Sequence, residues 1–400
     1  MEDFTGDDQL DMVLLHGSDD TISVLVGNGD GTFQTPIEAS MGTSYASTIA
    51  HADMNNDDHL DLIVTSSNMI RILIGNGDGR FQQGIDYPMI ATTATIASLN
   101  NDAFPDIVVT NRDGNKLRLL LSQSDGTLRA APHYVLSQGL RSLAAGDLNG
   151  DTHIDLASVH PHDNRLSIFT GDGSGHLPTT ISYTTPSGPT GVAVGDVNGD
   201  QRPDAITVQN ADHSVSVFMA NTAGMLELDA TYMLNPHPSG PWTLTLGDVN
   251  NDSYLDVITN ITWSSEINVL FGNGDGTFQP YVIYETAFNP CAMAIHDMNQ
   301  DAIPDIIVGH EGNHISVLLG TSAGTFETVI QSVEHRTCAL AVADWNGDMV
   351  LDLATGDLDT DTISIRLGNG DGTFQPGVDL STDQAPESLT TTDFNQDTVP

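Results

Sequence analysis

The chain has 400 residues, 39% of them apolar, and carries 54 acidic against 11 basic residues for a formal net charge of −43. That balance argues against nucleic acid and an anionic membrane surface as partners, since both repel a strongly acidic chain, and no apolar run approaches a membrane-spanning length, so direct insertion is not expected. The apolar content suffices for a large core, and repeat folds reach this length as one domain.

The first element is a loop with oxygen-bearing side chains at positions 1, 3, 5 and 9: Asp3, Thr5, Asp7 and Asp11. The pattern returns as Asp53, Asn55, Asp57 and Asp61, then as Asn100, Asp102 and Asp106 in a loop whose first position is Ser98. It recurs as Asp147, Asn149, Asp151 and Asp155, as Asp196, Asn198, Asp200 and Asp204, and as Asp248, Asn250, Asp252 and Asp256. Asp297, Asn299, Asp301 and Asp305 form the next copy, and Asp344, Asn346, Asp348 and Asp352 the eighth. A ninth opens at Asp393 and stops at Pro400 before its closing acid, so the chain is expected to be a fragment of a longer one. Successive loops start 45 to 52 residues apart, a period that signals blades or solenoid units.

Oxygen donors on alternate residues of a tight loop suit a hard cation, since Ca²⁺ takes about six to eight oxygens at roughly 2.3–2.6 Å. Position 7 varies freely (Gln9, His59, Phe104, Arg202 and others), so only its backbone carbonyl is expected to bind. Position 4 is Gly or Asn in seven of the nine loops, which predicts a left-handed turn there, with Gln300 and Gln396 as exceptions. An EF-hand is excluded: position 12 is Leu14, Val64 or Thr207 instead of an acid, and strand-like runs flank the loops. Positions 1, 5 and 9 hold 25 of the 54 acids: three in each of seven loops, two in the Ser98 loop and two in the last. Up to about eight bound Ca²⁺ would bring −43 to about −27. The role expected is structural, because three carboxylates a few ångströms apart repel without a cation.

Around each loop the period reads as four strands. A short run with a small residue at its centre (Ala50, Ala144, Ala193, Ala294, Ala341) precedes the loop, and a β-branched run follows it. A polar turn, a third run and a glycine-rich turn come next, as in Gly27-Asn28-Gly29-Asp30-Gly31-Thr32-Phe33. Its closing apolar residue (Phe33, Phe81, Leu128, Leu177, Leu226, Phe278, Phe326, Phe374) falls 28 to 30 residues after the loop start and reads as a core anchor. Cys291 and Cys338 each lie six residues before a loop, at equivalent points of adjacent units, where free buried thiols are expected. His16, His160 and His310 share one offset from their loops and are read as solvated turn residues.

The Asp-x-Asn-x-Asp-x-x-x-Asp loops and Gly-Asn-Gly-Asp-Gly-Thr-Phe turns resemble the FG-GAP, or VCBS, repeats of integrin-α-like propellers over essentially the whole chain. The resemblance implies an all-β fold, a β-propeller of four-stranded blades forming a single domain over residues 1–400, with Ca²⁺ between the first and second strands of each blade. It implies seven blades by family habit, whereas eight complete periods point to eight. It also implies partner binding on the face opposite the loops, where Tyr45, Arg141, Trp242, Trp263, Phe288 and Arg336 fall. The function expected is a calcium-stabilised, non-catalytic, extracellular binding or adhesion module with a protein or glycan ligand. The alternatives are a carbohydrate-active lyase or hydrolase domain, or a sugar-binding lectin.

Overall fold

The computed structural model describes residues 11–16, 21–40, 46–66, 68–89, 93–111, 116–136, 139–357 and 362–381, among which every regular element is a β-strand. The short polar turns leave no room for a crossover, so each period folds as an antiparallel meander with its strands in chain order. Eight such blades follow one another: residues 12–40, 46–88, 93–135, 142–184, 189–233, 241–285, 290–332 and 339–381. Blade 1 shows three strands among the described residues, and the other seven show four.

The middle strands are buried on both faces, which is why they read as continuous apolar runs; all six residues of Asp204–Gln209 are buried. The outer strands alternate, as Thr179–Thr184 does. A sheet apolar on both faces must be covered on both, and the core accordingly lies between blades. Ile206, Val208 and Val217 of blade 5 pack on Val257, Leu270 and Phe278 of blade 6, and each successive seam has its own cluster. The last cluster joins Met12, Leu14 and Leu25 of blade 1 to Trp345, Ile363 and Ile365 of blade 8. The ring therefore closes with eight blades and not seven.

Recurring tyrosines fasten the rim. Tyr87, Tyr134, Tyr183 and Tyr232 on outer strands each accept, through the phenol oxygen, the backbone N–H of the next blade's anchor: Leu128, Leu177, Leu226 and Phe278, at 2.6–2.9 Å. Gln331 does the same for Phe374 at 3.0 Å.

Two sequence expectations are corrected. Cys291 and Cys338 are joined as a disulfide with Cα atoms 5.3 Å apart, and are not free thiols. They stand where the first strands begin, at the hub, where first strands of neighbouring blades lie against one another and equivalent residues come within bonding reach. Replacing both by Ser is expected to cost about 4 kcal/mol through loop entropy, read as a fall in the urea midpoint; an unchanged midpoint would show that the bond does not hold the seam. Likewise His160 and His310 are fully buried strand residues instead of solvated turn residues. Their Nε2 atoms lie 2.9 Å from Ser158 Oγ and Ser316 Oγ, and burial pushes the His310 imidazole down to about 4. The side chain of His16 lies outside the described residues.

Candidate metal loops and the opposite face

The loop at Asp196 shows how the acidic side chains shape the backbone. Asp196 Oδ1 accepts the N–H of Gly199 at 2.8 Å and of Asp200 at 3.2 Å, and its Oδ2 accepts that of Gln201 at 2.7 Å. Asn198 Oδ1 takes the Asp200 N–H at 2.9 Å and Asp200 Oδ1 the Arg202 N–H at 2.9 Å. In the Asp53, Asp147, Asp248, Asp297 and Asp344 loops the first carboxylate likewise accepts the N–H of position 6, at 2.7–2.9 Å.

Position 4 takes positive φ in every described loop, including Gln300 at 62°, so the turn does not need Gly or Asn. Position 6 was not anticipated. Asp58, Thr152, Gln201, Ser253, Ala302 and Met349 all sit at φ 64–71°, although none is glycine. The cause is the first carboxylate, whose Oδ2 draws the N–H of position 6 inward. In the Ser98 loop, which lacks that carboxylate, Ala103 is absent from the left-handed residues. For a β-branched side chain this conformation costs about 1–2 kcal/mol. Thr152→Gly is therefore expected to stabilise the protein by about 1 kcal/mol after the entropy cost of glycine, whereas Ala103→Gly should destabilise it; urea midpoints that move in the same direction would refute the assignment.

Position 9 has a structural role that needs no cation. Asp11, Asp61, Asp106, Asp155, Asp204, Asp256, Asp305 and Asp352 are all fully buried. Asp204 accepts the Val197 N–H at 3.2 Å through Oδ2 and the Ala220 N–H at 2.7 Å through Oδ1. Asp256 does the same with Val249 at 2.9 Å and Gly272 at 2.8 Å, and Asp352 with Trp345 at 2.9 Å and Gly368 at 2.8 Å. Each thus clasps its loop to the start of the glycine-rich turn. The turn in its own right reaches the preceding blade: Gly31 N–H donates to Trp345 O, Gly175 to Leu99 O and Gly276 to Val197 O, at 3.0–3.1 Å. The acidic loops and glycine turns therefore share one face, and the seam across which blades 8 and 1 meet is stitched there.

Burial pushes the position-9 carboxyls of Asp61, Asp155, Asp204, Asp256, Asp305 and Asp352 up to about 6 against their N–H bonds, and the carboxylates at positions 1 and 5 add repulsion. The donor set, all oxygen with two or three carboxylates a loop, fits a hard cation. Among the described residues no three His, Cys, Asp or Glu side chains are gathered as a ready cage. Backbone N–H groups occupy part of the oxygens' capacity, so the loop carboxylates must draw together for a cation to be held. Asp3, Thr5, Asp7 and the Asp393 loop lie outside the described residues.

The candidate partner residues fall on the other face, in the connections into and within the blades. Arg141 stacks over the Trp242 ring, 4.3 Å from its centroid. Trp263 and Phe288, 62% and 54% exposed, lie with ring centroids 6.5 Å apart. Asn289 accepts the Trp263 N–H at 2.8 Å and donates to Glu311 at 2.6 Å, and Arg336 pairs with that same Glu311, so blades 6, 7 and 8 hold the two rings jointly. Trp263 adopts φ 59°, unusual for so bulky a side chain. Tyr45 lies outside the described residues.

An eight-bladed ring of four-stranded meanders with acidic loops between first and second strands defines a repeat-built β-propeller. The FG-GAP-like repeat family matches residues 3–64, 99–158, 147–207, 197–259 and 297–355, well over half the chain, and the protein belongs to it. No curated protein sequence matches the chain significantly. Among solved structures, dihydro-heme d1 dehydrogenase NirN in complex with DHE is similar at TM-score 0.65 and 9% identity, over 97% of this chain and 75% of that one. An Agrocybe aegerita lectin recognising non-reducing terminal N-acetylglucosamine is similar at TM-score 0.52 and 15% identity, over 93% and 90%. A protein from Lactobacillus plantarum is similar at TM-score 0.53 and 12% identity, over 86% and 98%. At these identities the likeness is one of fold alone.

Proposed function

We propose that this propeller is a calcium-stabilised, non-catalytic module that binds a protein or glycan ligand outside the cell, in adhesion or recognition. The observation that carries the reading is the division between its faces: one holds the repeated acidic loops, and the other displays large aromatic side chains on conformations fixed by neighbouring blades. Trp and Arg are enriched in binding hot spots, and Trp in particular buries much area at little entropic cost. Asp, Asn and, in one loop, Thr would hold each Ca²⁺, which would neutralise the loop carboxylates and so fix the hairpins. The disulfide supports an oxidising compartment and hence an extracellular location; the integrin-like role rests on the resemblance of the repeats alone. Among the described residues no helix is long and apolar enough to cross a membrane.

The lectin reading has an observation of its own, since exposed Trp242 and Trp263 could each stack on a pyranose ring, and one fold neighbour is a sugar-binding lectin. The carbohydrate-active alternative is tested by turnover on polyuronic acids. Probing a glycan array and immobilised extracellular-matrix proteins with Trp263→Ala and with Tyr254→Ala, a substitution on the metal-loop face, separates the faces. Binding should fall about tenfold or more with the first and be untouched by the second, as expected for a hot-spot aromatic; the reverse would sink the assignment of the face.

A further inference from the structure

The charge of the chain is not spread evenly. Residues 98–146, essentially blade 3 and the approach to blade 4, hold five of the 11 basic residues (Arg112, Lys116, Arg118, Arg129, Arg141) and only four of the 54 acids. The remainder therefore sets 50 acids against six bases. This is also the unit whose metal loop lacks its first carboxylate.

Topology gathers most of these cations on the face opposite the metal loops. A third strand starts on that face, and Lys116 and Arg165 start the third strands of blades 3 and 4, each 18 residues after its loop start. Arg118 stands two residues further along, on the same side of its strand as Lys116. With Val109 and Asn111 the two line a small depression of about 80 Å³. That is room for a group the size of about two or three water molecules, which suits one carboxylate or sulfate and is too small for a nucleobase. Arg141 lies six residues before its loop, the offset shared by Trp242, Cys291 and Cys338, so it stands at the hub on the same face. Its guanidinium carbon lies 4.3 Å from the Trp242 ring centroid, a cation–π contact that anchors a side chain whose planar fork suits a carboxylate or sulfate. None of Lys116, Arg118, Arg141 and Arg165 has an ion-pair partner among the described residues. Asp163 lies in the turn before Arg165, and Asp212 of blade 5 accepts the Ser187 N–H through its Oδ2.

We propose that this face, over blades 3 and 4, is an oxyanion-binding surface on which Arg141 and the Lys116–Arg118 depression take the carboxylate or sulfate of an acidic saccharide. It deepens, and rests on, the reading that ligands meet the face opposite the metal loops. The saccharide is favoured over an acidic peptide because the Trp242 ring, 37% exposed beside Arg141, offers a pyranose a stacking surface next to the cation. The distant acidic loops oppose such a ligand little, since their field is screened over about 8 Å at physiological salt. A short oligosaccharide fits better than a long polyanion, which would run onto the acidic remainder of the molecule.

Titration calorimetry in millimolar calcium tests this with four probes: a hyaluronan hexasaccharide, a heparin-derived tetrasaccharide, neutral chitotetraose and hexaglutamate. An acidic saccharide should bind about tenfold tighter than chitotetraose, and Arg141→Gln and the double variant Lys116→Gln/Arg118→Gln should each weaken it by about tenfold. Near-native melting curves of these surface variants would establish that they fold. Tighter binding of the heparin fragment assigns sulfate as the group held, and of the hyaluronan fragment carboxylate. Equal binding of acidic and neutral sugars, charge variants without effect, or hexaglutamate as tight as the sugars would overturn the proposal. If chitotetraose binds and Trp263→Ala abolishes that while the charge variants do nothing, the oxyanion surface fails but the binding face stands. If no probe binds, the oxyanion surface fails by itself, and the array with Trp263→Ala decides the face.

Discussion

Chelation of calcium is expected to lower the melting temperature by close to 20 °C. Six described loops carry all four oxygen-bearing groups, those starting at Asp53, Asp147, Asp196, Asp248, Asp297 and Asp344. A ligand present at a hundred times its dissociation constant contributes about 2.7 kcal/mol per site, so six sites give roughly 16 kcal/mol. A 400-residue chain has an unfolding entropy near the melting point of about 0.8 kcal/mol per kelvin, which converts that sum to about 20 °C. Calorimetry in calcium and in EDTA makes the comparison. Identical melting curves would leave the loops as hydrogen-bonded turns and end the proposal that they hold metal.

The pH dependence of the metal-free protein follows from the position-9 carboxyls, and its sign is unusual for aspartates. Their folded values, raised by burial to about 6, exceed the ordinary carboxylate range. Between about pH 4 and 6 the folded state therefore binds more protons than the unfolded one, and stability falls as pH rises through that window. Calcium requires the ionised form, so its binding strengthens in the same direction. The gap between the melting temperatures in calcium and in EDTA should thus widen from pH 5 to pH 7. Metal-free protein more stable at pH 7 than at pH 5 would contradict the burial of these acids.

The period, the four runs, the glycine turns and the anchors were legible in the sequence because each is a local pattern repeated at fixed spacing. The disulfide was not, since whether equivalent residues of adjacent units meet depends on their distance from the axis, and Cys291 and Cys338 happen to stand at the hub. His160 and His310 were misplaced because the second strand runs one residue into what reads as a polar turn. The left-handed position 6 leaves no trace in residue type: Thr152 and Met349 are forced there by the carboxylate five residues earlier. The tyrosine latches did leave a signal, as Tyr134, Tyr183 and Tyr232 all fall 36 residues after their loop starts and Tyr87 falls 34 after its own. The clasp made by position 9 could likewise have been read from the interval between these acids and the turn, 16 residues from Asp11 to Gly27, Asp256 to Gly272 and Asp352 to Gly368.

Blade 6 allows the two roles of the loop acids to be separated. Asp256 is fully buried with both oxygens accepting backbone N–H groups, whereas Asp252, at position 5, is exposed and accepts the Tyr254 N–H at 2.9 Å and the Asn250 amide at 2.9 Å. In Asp256→Asn only one acceptor remains, and the amide nitrogen must face either Val249 N–H or Gly272 N–H, donor against donor in a dry site. The cost expected is roughly 3 kcal/mol, and it should persist in EDTA because the clasp does not depend on metal. Asp252→Asn replaces a carboxylate of the proposed donor set by a weaker neutral oxygen and removes one of three neighbouring like charges. It should lower the melting temperature in calcium, yet leave it unchanged or slightly raised in EDTA, where the charge it removes is only repulsive. If the Asp256→Asn penalty disappears on chelation, its oxygens serve the cation alone and the hydrogen-bonded clasp contributes nothing; if Asp252→Asn costs the same with and without calcium, the carboxylate at position 5 acts as a turn former and not as a ligand.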